Sequence, residues 1–272
     1  MSNDSMDQMK QRILDQYKRM GPESKFTFQC NKNVPCFTNC CGDVNIVLTP
    51  YDVLRLKQRL GISSEEFIDK YAVLPFTQRQ QHPIVLMQMN KENNDRCFFV
   101  TEEGCGIYED RPWPCRMYPI GVASAEGKDG VSGEEFYFLM EEDHCDGLGS
   151  GKEWTVREWL LDQGVENYSY FGDLFKKLTL HPYFQQGHAL PPEKMDMFFT
   201  ALYDLDKFRR FIFESPFLTR FELEDELIEK LKTDDYTLLE FGFRWLHFAL
   251  FGDKTMTIRQ EVIERMQKGD NK

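Results

Sequence analysis

The residues of this chain whose type and spacing could do chemistry are its eight cysteines. They are Cys30, Cys36, Cys40, Cys41, Cys97, Cys105, Cys115 and Cys145. No cysteine occurs before Cys30 or after Cys145. Zinc and iron–sulfur clusters are both commonly held by four thiolates. Eight thiols confined to one part of the chain therefore predict metal binding, at two four-ligand sites or at one polynuclear site with bridging sulfur.

The spacing of the cysteines excludes several common motifs but does not choose the metal. A C-x2-C pair of the thioredoxin or zinc-ribbon type is absent, and a C-x3-C-x2-C triad would need cysteine where the chain has Asp43. The adjacent pair Cys40 and Cys41 is informative, because neighbouring side chains of an extended chain point to opposite sides. The pair could serve two neighbouring centres, or only one of its members could be a ligand.

Composition and charge limit the class of protein. The chain has 272 residues, 41% of them hydrophobic and 29% charged, which indicates a globular protein with an apolar core. Its net charge of -12 argues against nonspecific binding to nucleic acid or to anionic membranes. No run of 18 apolar residues and no secretory h-region is present, so we expect a cytoplasmic protein that does not span a membrane. In that reducing compartment we expect clustered thiols to be metal ligands or catalytic groups rather than structural disulfides.

Local patterns predict a mixed first half. A helix is expected over residues 1–20, ended by Gly21 and Pro22, and Thr49-Pro50 should cap a second helix that ends at Gly61. Ser63 should cap a third helix through Tyr71. The two prolines of the segment 111–115 predict a stiff, extended arm at Cys115. Short strands are expected at 44–48, 84–89, 97–100 and 136–140.

The second half has the period of helices. They are predicted over about 155–163, 166–179, 192–213, 222–232 and 236–251. The sequence therefore predicts an α+β protein: an N-terminal helix in residues 1–25, a small mixed cysteine-rich metal-binding domain in 26–150, and an all-helical domain in 151–272.

Several motifs together resemble one known family. They are F-x-C-x5-C-x3-C-C at 28–41, I-V-L-T-P-Y-D-V-L-R-L at 46–56, Cys97-Phe98-Phe99, Gly104-Cys105-Gly106-Ile107-Tyr108, and R-P-W-P-C-R-M-Y-P at 111–119. Over about residues 26–150 the chain resembles the YkgJ-type cysteine cluster proteins, a zinc- or iron-chelating domain family. Many members space the first pair C-x2-C, whereas five residues separate Cys30 from Cys36 here.

The resemblance implies metal chelation by all eight cysteines, with zinc, iron or an iron–sulfur cluster as the bound group. One branch of the family comprises flagellin lysine N-methylases, so by analogy an enzyme that modifies a protein substrate is an alternative. A structural zinc protein that presents its helices to a protein partner is another. No catalytic residue is indicated, and the resemblance does not extend to the helical half.

The sequence gives weaker indications of a role in metal binding for residues beside the cysteines. Arg111 and Arg116 flank Cys115 and could offset thiolate charge, or could form ordinary surface ion pairs. His144, next to Cys145, is a substitute ligand or a solvated turn residue. The glycine-rich segment 147–152 does not fit a phosphate loop, because Asp146 and Glu153 stand where glycine and Ser/Thr are needed.

Overall fold

The computed structural model describes residues 18–75, 80–126 and 132–267. The predicted helix over residues 1–20 lies almost entirely outside these ranges, and Met20 at its end forms a β-bridge with Tyr137. The described residues combine helices with small antiparallel sheets, which confirms the predicted α+β class. Within the described residues no helix has the length and apolar character needed to span a membrane.

The helices concentrate in the second half of the chain. In chain order they are α1 (Pro50–Leu60), α2 (Ser64–Tyr71), α3 (Trp113–Met117), α4 (Val156–Asp162), α5 (Glu166–Thr179), α6 (Pro182–Gln185), α7 (Pro192–Leu202), α8 (Leu205–Glu214), α9 (Phe217–Arg220), α10 (Asp225–Thr233), α11 (Asp235–Leu246) and α12 (Gln260–Gln267). Single 3₁₀ turns occur at Asn39–Cys41, Lys91–Asn93 and Tyr108–Asp110, and a π-helical turn at His247–Phe251.

The strands are short and pair two by two. They are β1 (Lys25–Phe28), β2 (Ala72–Val73), β3 (Leu86–Met87), β4 (Met89–Asn90), β5 (Arg96–Cys97), β6 (Val100–Thr101), β7 (Gly104–Cys105), β8 (Ile120–Glu126), β9 (Ser132–Leu139), β10 (Lys152–Thr155), β11 (Phe221–Glu222) and β12 (Thr257–Ile258). The antiparallel pairs are β1·β10, β2·β3, β4·β5, β6·β7, β8·β9 and β11·β12. Where a strand was predicted over 44–48, the described chain has only a bridge from Val47 to Leu86.

Capping residues fix the first two helices as the sequence predicts. The Thr49 hydroxyl accepts from the Asp52 N–H while the Asp52 carboxylate accepts from the Thr49 N–H, which satisfies two donors at the start of α1. Gly61 ends the helix with a φ of 65°. The Ser63 hydroxyl accepts from the Glu66 N–H at the start of α2.

Two predicted elements are corrected by the structure. The extended arm predicted over 111–115 is wrong from Trp113 onward, because this segment turns into α3. Its Pro114 sits in the first turn, where no backbone N–H is needed, so the helix tolerates it. The single helix predicted over 192–213 is broken at Tyr203 and Asp204, where the Asp204 carboxylate caps α8 by accepting from the Lys207 N–H.

The chain divides into two compact units, each built from two segments. Unit 1 comprises residues up to Val44 and Met89–Asn167, and unit 2 comprises Asn45–Gln88 and Tyr168–Lys272. This grouping differs from the predicted domains 26–150 and 151–272. Helices α1 and α2 bury apolar faces among the other helices of unit 2, and β10 pairs with β1 inside unit 1.

Unit 1 has an aromatic core beside its cysteines. Phe26, Phe28, Met117 and Ile120 pack with Val156, Trp159 and Val165. The rings of Phe28 and Trp159 meet edge to face with their centroids 5.4 Å apart, a favoured aromatic geometry. The Trp159 indole donates to the Met117 carbonyl over 3.1 Å. This core anchors β1, which ends two residues before Cys30.

Unit 2 is a helical body with a buried ion network. The side chain of Lys57 is 6% exposed and lies 3.1 Å from the Asp235 carboxylate and 3.3 Å from the Asp206 carboxylate. Arg209 also contacts both carboxylates. The charges of the four side chains balance, as burial requires.

Candidate metal centre

All eight cysteines lie in unit 1, and all are free thiols. They come from separate parts of the unit: the loop after β1, strands β5 and β7, helix α3 and the loop before β10. None of these elements is longer than a few residues around its cysteine. The sulfurs are therefore placed by loops and short turns that the aromatic core and backbone hydrogen bonds hold.

Four of the cysteines line one small cavity of about 30 Å³. We call Cys30, Cys36, Cys40 and Cys145 the first cysteine group. His144 lines the same cavity, which Phe28, Gln29, Tyr118 and Gly147 complete. A water molecule occupies about 30 Å³ in the liquid, so the space between these thiols is of the size of one small ion or solvent molecule.

Backbone hydrogen bonds join the two chain segments that supply this group. The Gln29 N–H donates to the Gly147 carbonyl over 3.2 Å, and the Gly149 N–H donates to the Thr27 carbonyl over 2.9 Å. The Asp146 N–H donates to the sulfur of Cys36 over 3.2 Å. A Cβ atom at Gly147 would lie 2.1 Å from the Gln29 carbonyl oxygen. Only glycine fits this close approach, which brings Cys145 toward Cys30.

The other four cysteines do not line this cavity. We call Cys41, Cys97, Cys105 and Cys115 the second cysteine group. A bridge between Gly42 and Arg96 and a 2.9 Å hydrogen bond from Asp43 N–H to the Asp95 carbonyl bring Cys41 beside Cys97. Arg96 fixes this contact by donating to the carbonyl and the hydroxyl of Thr38, each over 3.0 Å.

Neighbouring thiols also shift one another's pKa values. Burial, and after it the nearby thiols of Cys40, Cys36 and Cys145, raise the pKa of Cys30 to about 11. Cys40 and burial have the largest effects on the pKa of Cys41, with smaller effects from Cys115 and Cys97, while burial and then Cys105 raise the pKa of Cys97. Raised pKa values mean that these thiols are protonated near neutral pH, so a metal must displace protons when it binds.

The vicinal pair connects the two groups. The Cys41 thiol donates a hydrogen bond to the Cys40 sulfur, and this bond lowers the pKa of Cys40 to about 6 while raising that of Cys41. Both residues lie in the 3₁₀ turn Asn39–Cys41, which Thr38 precedes with a φ of 65°. This turn places one thiol of the pair in the cavity and the other toward Cys97.

Arg111 is a buried cation beside the thiols. It is 7% exposed, and it donates to the Tyr108 carbonyl and to the Gln163 side-chain oxygen. Among the described residues no carboxylate pairs with it, whereas the thiols of Cys105 and Cys115 interact with its charge. A buried guanidinium without an anion is costly. Thiolates, or a metal–thiolate group with net negative charge, fit this environment.

Arg116 is a second buried arginine in the same part of unit 1. It is 6% exposed and donates to the carbonyls of Arg111, Glu109 and Gln163. These contacts tie the segment after Cys105 to the end of α4. Arg116 thus fixes the backbone around Cys115, while the charge of Arg111 interacts with the thiols of Cys105 and Cys115.

Tyr118 also contributes to the site. In the sequence, the only sign of this role is its position shortly after Cys115. Its hydroxyl is buried and has no hydrogen-bond partner of standard geometry among the described residues. It borders the cavity near Cys145, and burial, followed by that thiol, raises the pKa of Tyr118. The buried Tyr118 hydroxyl could donate a hydrogen bond to the neighbouring sulfur if that sulfur were a thiolate.

The thiols lie in one unit, but their sulfurs are not placed for direct metal coordination. Among the described residues no three Cys, His, Asp or Glu side chains are close enough to hold a metal ion as they stand. In a tetrahedral zinc site with bonds of about 2.3 Å, the sulfurs lie about 3.8 Å apart. Binding a single ion would therefore draw the thiols together, whereas a cluster with bridging sulfide would span a wider set.

Comparison with known proteins identifies the cysteine half of the chain. Residues 29–146 match the family model CxxCxxCC, described as "Putative zinc- or iron-chelating domain". No curated protein and no solved structure matches the chain. The matched segment contains all eight cysteines, and it confirms the family resemblance predicted from the cysteine motifs. Over residues 29–146, somewhat less than half of its length, the chain is thus similar to the CxxCxxCC family.

Proposed function

We propose that this protein binds zinc or iron through the eight cysteines of unit 1. The observation that carries the proposal is Arg111, a buried guanidinium that has thiols rather than carboxylates as its neighbours. Because burial keeps most of the thiols protonated, they need a metal to become thiolates. Once they are thiolates, their charge compensates the cation.

The bound group is either a structural metal ion with all its ligand positions filled or a redox-active cluster. In both cases the surrounding residues stabilise a negative charge on the metal–thiolate group. Cys30, Cys36, Cys40, Cys41, Cys97, Cys105, Cys115 and Cys145 are the proposed ligands. Tyr118 and the Asp146 N–H can donate hydrogen bonds to sulfur, which orients a thiolate ligand and reduces its charge.

The test is an assay of metal and acid-labile sulfide in full-length protein purified without oxygen, together with its absorption spectrum. Brown protein with sulfide identifies an iron–sulfur centre. Colourless protein with zinc identifies a structural centre. Protein that contains neither metal, and takes up neither Zn²⁺ nor Fe²⁺ with sulfide after reduction, would contradict the proposal.

A second candidate, an enzyme that acts on a protein segment, is favoured by an open groove beside Cys145. The groove measures about 470 Å³ and is lined by Lys25, Phe26, Leu139 and the acidic run Glu141–Glu142–Asp143. Its charge suits a segment with basic side chains. Fluorescence anisotropy with a lysine-rich and a glutamate-rich peptide tests this function. Equal binding of the two peptides, or binding of neither, would exclude it.

A further inference from the structure

The cavity in unit 1 contains only half of the thiols. Of the eight cysteines, all of which lie in the described part of the chain, it is lined by Cys30, Cys36, Cys40 and Cys145 and by none of the others. These four thiols therefore border one space, and their number is that of the ligands in a tetrahedral zinc site.

The remaining thiols are held by a separate set of contacts. Cys97 pairs with Met89 in β4·β5, and Cys105 pairs with Val100 in β6·β7. The Gly106 N–H donates to the Phe99 carbonyl over 2.8 Å, which folds the hairpin of Cys105 back onto the segment after Cys97. These are contacts among elements that supply only the second group.

The two groups meet at one place in the backbone. Cys40 lines the cavity, whereas the next residue, Cys41, is followed by the Gly42–Arg96 bridge that leads to Cys97. The side chains of Cys40 and Cys41 therefore lie in different surroundings.

From this geometry, and resting on the proposed metal-binding function, we propose that the protein contains two adjacent metal centres of four thiolates each. Cys30, Cys36, Cys40 and Cys145 hold one, and Cys41, Cys97, Cys105 and Cys115 hold the other. The centres share no ligand and are joined through the Cys40–Cys41 peptide. Arg111 stands beside Cys105 and Cys115 and so compensates the second centre most strongly.

The test compares pairs of substitutions within and between the groups in the full chain, purified without oxygen. Metal per chain is measured by mass spectrometry for the parent, for C36S, for C105S, and for two double variants. We expect about half the parent's metal in C36S, in C105S and in the same-group double C36S/C145S. We expect almost none in the cross-group double C36S/C105S.

Other arrangements give different patterns. A single polynuclear site would lose all its metal in either single variant, and a mixed ligand set would make the same-group double lose more than C36S. Either result overturns the assignment. A parent without metal would instead defeat the proposed function itself. Circular dichroism of each variant verifies that the helices remain, and the single variants alone decide the question if a double variant does not fold.

His144 lines the same cavity as the first group, so its substitution tests whether that centre uses four thiolates or includes an imidazole. H144A should keep the full metal content. If H144A loses half the metal, histidine replaces one cysteine in the first centre, and the four-thiolate assignment of that centre is wrong. Titration of the metal-free protein with Co²⁺, followed by its thiolate charge-transfer absorption, gives the number of centres independently: two equivalents for the parent and for H144A, one for C36S.

Discussion

The guanidinium of Arg111 lies 3.7 Å from the centre of the Tyr108 ring and donates to the carbonyl of the same residue. Tyr108 thus holds the cation by stacking and by a hydrogen bond, while its own side chain stays 53% exposed. The Gln163 side chain accepts a further hydrogen bond. This arrangement keeps a positive charge beside Cys105 and Cys115 without neutralising it.

The first prediction concerns that charge. Arg111→Met should lower metal affinity by roughly tenfold or more, because it removes the cation that compensates the thiolates. Arg111→Lys keeps the charge and should recover part of the affinity, although it loses the planar fork. Competition with a chromophoric chelator measures both. Arg157, which is exposed and paired with Glu23, provides the control R157M with unchanged affinity. Equal losses in R111M and R111K would assign Arg111 a packing role instead.

The second prediction is that unit 1 needs its metal to stay folded. The loop from Gln29 to Gly42 has no apolar period and contains no α-helix or strand, so we expect the energy of metal binding to order it. Removing the metal with a strong chelator should shift the emission of Trp113, Trp154 and Trp159, which belong to unit 1. The far-UV dichroism should fall only modestly, because most helices are in unit 2. A W245F variant removes the one tryptophan of unit 2 from the signal, and unchanged emission in it would refute the prediction.

The third prediction uses the pKa difference between two thiols of the first group. In metal-free protein the pKa of Cys40 is lowered to about 6 by the Cys41 hydrogen bond, whereas burial raises that of Cys30 to about 11. A thiol is reactive as thiolate, and the thiolate fraction grows as pH rises through the pKa. At pH 7 iodoacetamide should therefore modify Cys40 well before Cys30, as peptide mass spectrometry can measure.

A substitution of the neighbour isolates the cause of that reactivity. Cys41→Ala removes the donor, so the pKa of Cys40 should rise and its labelling at pH 7 should slow. At pH 9 the rates in C41A and in the parent should approach each other, because Cys40 ionises in both. Labelling of Cys40 that is equally fast in C41A at pH 7 would show that another group lowers its pKa.

The fourth prediction concerns the ion network of unit 2. Lys57→Met should destabilise the protein by about 1–3 kcal/mol, because it removes the buried cation between the half-buried carboxylates of Asp206 and Asp235 and leaves Arg209 as the cation near both. Urea unfolding followed by far-UV dichroism measures the loss. Lys25→Met breaks the exposed pair with Glu153 and should leave the midpoint unchanged. A K57M midpoint equal to the parent's would show that Lys57 contributes no stability.

The ion network also makes the stability of the protein depend on pH in the acidic range. Burial by itself would raise the pKa of Asp206, but the Ser64 N–H and Lys57 outweigh it and hold that pKa below its usual value. The stabilisation from Asp206 is therefore present above the unfolded pKa of about 3.9 and is lost as pH falls through the lower folded value. K57M should flatten this loss.

Local chemistry made part of the fold predictable. Thr49, Pro50 and Gly61 determine the ends of α1 through their own backbone preferences, and no distant contact is needed. The break at Asp204 is also local, but the apolar period of the segment 192–213 continues through it and hides it. Pro114 misleads because the same residue suits an extended chain and the first turn of a helix.

The sequence predicts the eight cysteines as one set of candidate ligands, which stays a prediction, but it does not indicate which of them line the cavity. Spacing along the chain places Cys40 with Cys41 and leaves Cys145 alone. Contacts far apart in sequence decide otherwise, since the Gln29–Gly147 hydrogen bond carries Cys145 to the first group and the Gly42–Arg96 bridge carries Cys41 to the second. Such pairings depend on tertiary structure, which also explains why the two-residue strands could not be located closely.

The order of the cysteines along the chain has a consequence for biosynthesis. Every residue of the second group precedes Cys145, whereas the first group lacks Cys145 until nearly the whole matched domain has left the ribosome. On the growing chain the centre formed by Cys41, Cys97, Cys105 and Cys115 can therefore be filled first. Its formation would fix Cys41, and with it the direction of Cys40, before the last thiol arrives. Formation of the early centre would then restrict the conformation of Cys40 and so favour formation of the late centre.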